Sequence, residues 1–167
     1  MESKRIQTAK KFVDHYTEHD NQVLENLLSD DLSYHLRPSR SLSGDVNYDK
    51  AGYVGLKQIM SIAMTGYPLE VVKYIESESS NMVVVWATGR PQFRDELKDF
   101  EVYTKEQWDY VGEFIFFLTM DETGEKIVHV EEFIDSRATE LTLRPMMMRA
   151  LGNWQSRGGQ VEDKSAF

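Results

Sequence analysis

Residues 108–136 read WDYVGEFIFFLTMDETGEKIVHVEEFIDS, and this stretch decides the fold. From Tyr110 to Thr119 it is almost wholly apolar; from Lys126 to Ile134 it alternates around Val128, Val130, Phe133 and Ile134. Both halves have strand character. Asp121 to Glu125 between them form a polar loop in which Gly124 is free to take a positive φ, so the stretch predicts one long antiparallel hairpin. The leading strand is bulky on both parities, with Tyr110, Phe114, Phe116 and Leu118 on one and Val111, Ile115 and Phe117 on the other. Neither face suits water, so one closes a core or pocket and the other meets a helix or a second subunit.

The chain has 167 residues, 41% of them apolar, enough for one sizeable core but not two. A single domain is expected over residues 1–154, with a polar tail over 155–167 expected to be disordered. A formal charge of −9 would repel nucleic-acid phosphates, so no nucleic-acid partner is expected. With no cysteine, disulfides, thiolate metal sites and thiol nucleophiles are excluded. The N-terminus, MESKRIQTAKKF, is charged and amphipathic, and no later run approaches the length of a membrane span. A soluble, cytoplasmic protein without a membrane partner is the expectation.

Outward from the hairpin, Ile6, Ala9, Phe12, Val13 and Tyr16 recur at helical spacing, and Asp20 or Asn21 can cap a second short helix through Leu28. Leu32 to Arg37 is a first strand, broken after Pro38. Asp49 can cap a third helix carrying Tyr53, Val54, Leu56, Ile59, Met60 and Met64, stopped by Gly66 and Pro68. Leu69 to Glu76 and Met82 to Thr88 are strands, and Gly89 to Gln107 is a charged excursion that still holds Phe93, Leu97, Phe100 and Tyr103 and folds back over something, a lid being one reading. Thr139 to Leu151 is a Met-rich closing helix interrupted by Pro145. This order, with late strands running consecutively, predicts an α+β fold: a curved antiparallel sheet wrapped around the N-terminal helices.

The same order resembles the cone-shaped barrel of the NTF2-like superfamily, and short segments resemble its fungal SnoaL-like branch. Glu132-Phe133-Ile134-Asp135-Ser136 is similar to the Glu-Phe-Val-Asp-Ser ending of that branch's last strand, and Gly124 to Val128 to the turn before it. Tyr110 to Phe114 is similar to its Tyr-x-Asn-Glu-Tyr strand start, His35 with Ser41-Leu42 to its His-x5-Ser-Leu segment, and Val83 to Thr88 to its Val-Val-His-Ala-Ser strand. Gly112 stands where Asn is usual and Trp86 where His is usual. The superfamily includes ketosteroid isomerase, scytalone dehydratase, limonene epoxide hydrolase, polyketide cyclases and fungal isomerase-cyclases. The resemblance therefore implies a cofactor-free pocket inside the cone, although non-enzymes share the fold.

By this resemblance Glu132 points inward with Val130 and Ile134, where burial raises its pKa into the range of a general acid or base; the bland reading is a Glu that pairs with an Arg to pin the sheet. Trp86, Thr88 and Arg90 face in by the same alignment, giving an aromatic wall, a hydroxyl and a cation, with Trp86 as plain core the alternative. Tyr110 is either an oxyanion donor or packing beneath the excursion. His35, on the strand parity of Ser33 and Arg37, is a proton carrier if inward, with Arg37 holding an enolate or carboxylate; otherwise both sit at the rim. Phe114 and Phe116 complete the substrate-binding wall. His15 and His19 have i, i+4 spacing but no facing third ligand, so they read as bland and no metal is expected.

The leading expectation is a cofactor-independent acid/base isomerase or cyclase, or a dehydratase or hydrolase, acting on a hydrophobic polyketide- or terpenoid-derived small molecule in fungal-type secondary metabolism. The alternative is a non-catalytic binding or dimeric interaction module whose cone is filled by Trp86, Phe114 and Phe116. The outward parity of Val111, Ile115 and Phe117 predicts a homodimer.

Overall fold

The computed structural model describes residues 2–42 and 44–159. In chain order its elements are α1 (Lys4–Glu18), α2 (Asn21–Leu27), β1 (Leu28–Arg37), β2 (Asn47–Tyr48), α3 (Lys50–Ala63), β3 (Met64–Gly66), β4 (Leu69–Ser77), β5 (Met82–Gly89), β6 (Gln92–Phe93), α4 (Lys105–Trp108), β7 (Gly112–Met120), β8 (Ile127–Ile134), α5 (Ser136–Ala138) and α6 (Arg144–Ser156). A wide turn, Thr139–Leu143, joins the last two.

Short polar side chains start the helices. The Ser3 hydroxyl accepts from the Ile6 amide at 3.1 Å, Asp20 from Val23 at 3.0 Å, and Asp49 from Gly52 at 2.8 Å, each satisfying an amide that the first turn leaves unpaired. Asp135 does the same for Ala138 at 3.0 Å, so it caps the C-terminal helical region. The closing helical run, Ser136 to Ser156, is interrupted as expected near Pro145: the turn just before it, Thr139–Leu143, is widened to a π-helix.

Six strands form a sheet in the order β2-β1-β8-β7-β5-β4. The predicted hairpin is its centre: β7 and β8 pair antiparallel with Phe116 opposite Glu132, and the loop turns at Gly124, φ +74°. One pair departs from the expected antiparallel sheet, since β1 runs parallel to β8. This strand also begins at Leu28 rather than Leu32, because Leu28 pairs with Ile127 and is buried, while a register shift before Ser33 absorbs the polar Ser29-Asp30-Asp31. A second, two-stranded sheet joins β3 to β6.

The inner face of the large sheet meets α1 and α3. Phe12 and Tyr16 of α1 pack on Phe116, with ring centroids 5.6 and 5.7 Å apart, and Tyr53 of α3 stacks on Tyr34 of β1 at 4.3 Å. Between β3 and β4 the chain crosses the end of α1 so closely that a side-chain carbon at Gly66 would lie 1.8 Å from the Thr17 carbonyl oxygen; there the Tyr67 amide donates to the Tyr16 carbonyl at 2.6 Å. The excursion after β5 folds back as expected, but onto the helices. Arg94 bonds the carbonyls of Ser61 and Ile62, and Asn153 of α6 bonds the carbonyl of Leu97. Of the expected tail, Gln155 and Ser156 complete α6, and 160–167 lie outside the described residues. Among the described residues no helix is long and apolar enough to cross a membrane.

Candidate active site

The hairpin's register decides which side chains enter the cone. Residues directly opposite each other on paired strands share a face, so Phe114, Phe116, Leu118, Val130 and Glu132 lie together on the inside, and Glu113, Ile115, Phe117, Glu131 and Phe133 on the outside. The parallel pairing then places Tyr34 beside Val130 and Leu36 beside Glu132. These residues, with Tyr16, Lys57, Tyr67, Ile134, Thr139, Arg144 and Met147 among others, line a cavity of about 130 Å³ that opens to solvent. A cavity of about that size holds one six-membered ring; a larger molecule has to extend through the mouth.

At its polar centre is Glu132, only 6% exposed. Its Oε2 accepts from the Tyr34 hydroxyl at 3.0 Å and, at a longer 3.4 Å, from the Tyr16 hydroxyl. The Tyr53 and Tyr16 hydroxyls are 3.1 Å apart, and because Tyr16 spends its proton on the carboxylate, Tyr53 donates to Tyr16. Burial raises all three phenols well above their ordinary pKa, and the nearby carboxylate raises them further, so they remain donors. Both direct bonds fall on Oε2, and among the described residues no hydrogen bond occupies Oε1.

The counter-charge is Lys57, 2% exposed, which α3 carries one turn after Tyr53. Its ammonium lies 3.9 Å from the centre of the Tyr16 ring and 5.0 Å from that of Tyr53. Burial lowers its pKa to about 8, with Glu132 opposing the fall. Glu132 shows the reverse: burial raises its pKa, while Lys57 and then the two phenols hold the rise in check. Behind Lys57, His15 and His19 are buried rather than bland surface residues. Burial first, and Lys57 second, lower the pKa of both, to about 4 for His19, so the positive charge is concentrated on Lys57.

Several expected site residues lie elsewhere. His35 pairs opposite Glu131 on the outer face, with Nε2 3.3 Å from the Ser33 hydroxyl and its ring centroid 5.2 Å from that of His129; it and Glu132 are on opposite sides of the sheet. Arg37 is on the same outer face, 3.4 Å from Asp45 and 3.5 Å from Glu131. Trp86 pairs opposite Ile115, is 42% exposed, and donates from Nε1 to Glu113 at 2.7 Å. Thr88 pairs opposite Glu113 on that face, and Arg90 bonds Asp109 at the surface, 3.1 Å away. The inward residues of β5 are instead Val83, Val85 and Ala87. Tyr110 is buried but does not line the cavity. Phe114 lines it, with Phe116 stacked 5.7 Å away in the core. No residue of the excursion lines it, so the excursion is not a lid on this opening. Among the described residues no group of three metal-ligand side chains gathers.

Sequence reasoning missed Lys57, Tyr16, Tyr34, Tyr53 and Tyr67. The signal for Lys57 was present: it interrupts the apolar stripe of α3 between Tyr53 and Met60, a position where a cation must find a buried partner.

No known family profile matches the chain, and no curated protein matches it in sequence. Solved structures do match in shape. The BvnE pinacolase from Penicillium brevicompactum is 16% identical, with 89% of this chain and 92% of that one covered and a TM-score of 0.69. A candidate SnoaL-like polyketide cyclase from Shewanella putrefaciens is 16% identical over 87% and 99%, TM-score 0.64. An NTF2-like protein of unknown function from Burkholderia pseudomallei is 15% identical over 84% and 98%, TM-score 0.62. The fold is thus that of the NTF2-like α+β cone.

Proposed function

We propose that this NTF2-like, SnoaL-like cone houses a cofactor-independent acid/base isomerase or cyclase, acting on a polyketide- or terpenoid-derived ring ketone of fungal-type secondary metabolism. The observation that carries the reading is a carboxylate buried in an open, mostly apolar cavity, with one oxygen held by two phenols, the other without a hydrogen bond among the described residues, and a lysine of lowered pKa nearby. In this reading Glu132 Oε1 removes a proton from the carbon next to a carbonyl and returns it at another carbon. Lys57 offsets the negative charge that passes from carboxylate to enolate and back. The names of the shape neighbours, a pinacolase and a candidate polyketide cyclase, agree with ring-rearranging chemistry of this kind.

The test is a panel of β,γ-unsaturated ring ketones, cyclohex-3-enone first, with migration of the double bond into conjugation followed by ultraviolet absorbance. Glu132 acts ionised, so the rate climbs as pH passes its raised pKa; Lys57 assists only as the ammonium, so the rate falls through about pH 8. A bell of that form is expected. No turnover across the panel, or a rate indifferent to pH through that range, contradicts the reading.

We also assign the exposed outer stripe of Trp86, Val111, Ile115 and Phe133 to a homodimer contact. Sedimentation is expected to give about twice the 19.4 kDa chain mass, and a monomer at all concentrations contradicts it.

A further inference from the structure

The cavity has a floor and a rim, and they differ in charge. Tyr16, Tyr34, Lys57 and Glu132 of the lining are buried, whereas Leu36, Val46, Met60, Leu143 and Arg144 are partly exposed and bound the opening. Of the partly exposed lining residues Arg144 alone is charged, and the acid/base reading gives it no task.

The local chain sets this guanidinium in place. The turn Thr139–Leu143 is wound one residue wider than an α-helix, so that the Arg144 amide donates to the Thr139 carbonyl, and Thr139, Leu143 and Arg144 all come to line the cavity. Nη1 of Arg144 lies 2.9 and 3.1 Å from the two oxygens of Glu140, one turn earlier, which anchors that corner of the guanidinium. Nε and Nη2 make no hydrogen bond among the described residues, and neither is shut away: the side chain is 24% exposed. Its charge is felt at Tyr48, also on the rim, where burial raises the phenol's pKa and Arg144 opposes the rise. The open edge of a guanidinium is a rigid planar fork whose two N–H groups match the two oxygens of a carboxylate.

We propose that Arg144 selects an acidic ligand: one ring seated on the floor of the cavity, bearing a carboxylate on a side chain that rises to the rim and meets the Nε–Nη2 edge. A cavity of about 130 Å³ is filled by the ring alone, so a substituent has to leave through the opening, past the one charged residue there. Two-pronged, charge-assisted bonds are about twice as strong as neutral ones, and a partly buried cation is screened less than one on the open surface. The inference rests on the cavity being the ligand site, as in the function proposed above, where it narrows the ring ketone to a keto acid; it does not rest on Glu132 performing the chemistry.

The experiment titrates the full chain calorimetrically with cyclohexaneacetate and with cyclohexaneacetamide, which has the same shape without the charge, in wild type, Arg144→Gln and Glu140→Gln. Wild type is expected to bind the acid at least about tenfold more tightly than the amide, a preference that shrinks as salt is raised. Arg144→Gln is expected to erase that preference and leave amide binding unchanged. Glu140→Gln breaks the same ion pair but keeps the guanidinium, so it is expected to retain the preference; a pair that served only to pin the turn would make the two variants behave alike. The inference is overturned if wild type binds neither probe or shows no preference, if Arg144→Gln keeps the preference or weakens both probes alike, or if Glu140→Gln loses the preference as Arg144→Gln does. Turnover of cyclohex-3-enone by a protein that does not prefer the acid removes this inference and leaves the acid/base reading standing. A preference for the acid together with full turnover in Glu132→Gln does the reverse.

Discussion

Replacement of Glu132 by Gln is expected to lower turnover of a ring ketone about 10³-fold, the usual worth of a positioned general base, while the protein stays folded. Gln has nearly the same shape, and its carbonyl oxygen still accepts from Tyr34 and Tyr16, the donors that now hold Oε2 at 3.0 and 3.4 Å. What disappears is the ability to take up a proton. His35→Ala is the matched comparison, since an imidazole is the usual proton carrier near neutral pH and this one is on the far side of the sheet, opposite Glu131. It is expected to change turnover by less than about twofold, in keeping with a surface substitution away from the chemistry. The opposite pattern, with His35→Ala inactive and Glu132→Gln active, sinks the assignment. The readout is kcat from initial rates, with circular dichroism to show that both variants are folded.

The second large effect is on stability. Gly66→Ala is expected to cost about 3 kcal/mol or more, at the upper end for overpacking, because the obstacle is main chain. The added carbon would lie 1.8 Å from the Thr17 carbonyl oxygen and 2.8 Å from its carbon, and neither atom can rotate away as a side chain can. Relief requires β3 and the end of α1 to separate, which also breaks the bond from the Tyr67 amide to the Tyr16 carbonyl. The substitution therefore disturbs two cavity residues through their main chain. Urea denaturation checks it: the midpoint drops sharply if the close approach is real, and an unchanged midpoint refutes it.

How much of this was legible in the sequence depended on whether one face of a strand was chemically distinct. The hairpin was legible because its two apolar runs flank a polar, Gly-containing loop, and the other four strands of the large sheet order themselves on that pair. Glu132 was placed inside by the resemblance to the NTF2-like cone, and the apolar Val130 and Ile134 on its parity agree with that placement. On β1 the alternation sets Ser33, His35 and Arg37 against Tyr34 and Leu36, and chemical habit favoured the imidazole; the structure buries the phenol, which both stacks on Tyr53 and bonds Glu132. On β5 the run Met82 to Val85 is apolar on both parities, so the strand carries no internal direction, and Trp86 went to the wrong face. Long-range partners were out of reach for a different reason. Lys57, Tyr16 and Tyr67 come from three separate segments, and only the packing of α1 and α3 on the sheet brings them to one carboxylate.

The tyrosine chain and the lysine also explain why a carboxylate can be kept in so apolar a place. Each hydrogen bond to a charged acceptor contributes about 1.5–3 kcal/mol, and a cation a few ångströms further on offsets part of the desolvation. The result is a carboxyl group whose pKa burial raises and whose partners check the rise, which brings it closer to protonation than an ordinary Glu and suits a proton carrier.

The central claim is that Glu132 and Lys57 form this coupled pair inside the cone. It is tested most directly by a ¹³C NMR titration of the Glu132 side-chain carboxyl, in wild type and in Lys57→Met. The account predicts a wild-type pKa above the unperturbed 4.5, and a further upward displacement once the ammonium is gone, because Lys57 favours the ionised form. A wild-type value at or below 4.5, or one indifferent to loss of Lys57, would contradict it.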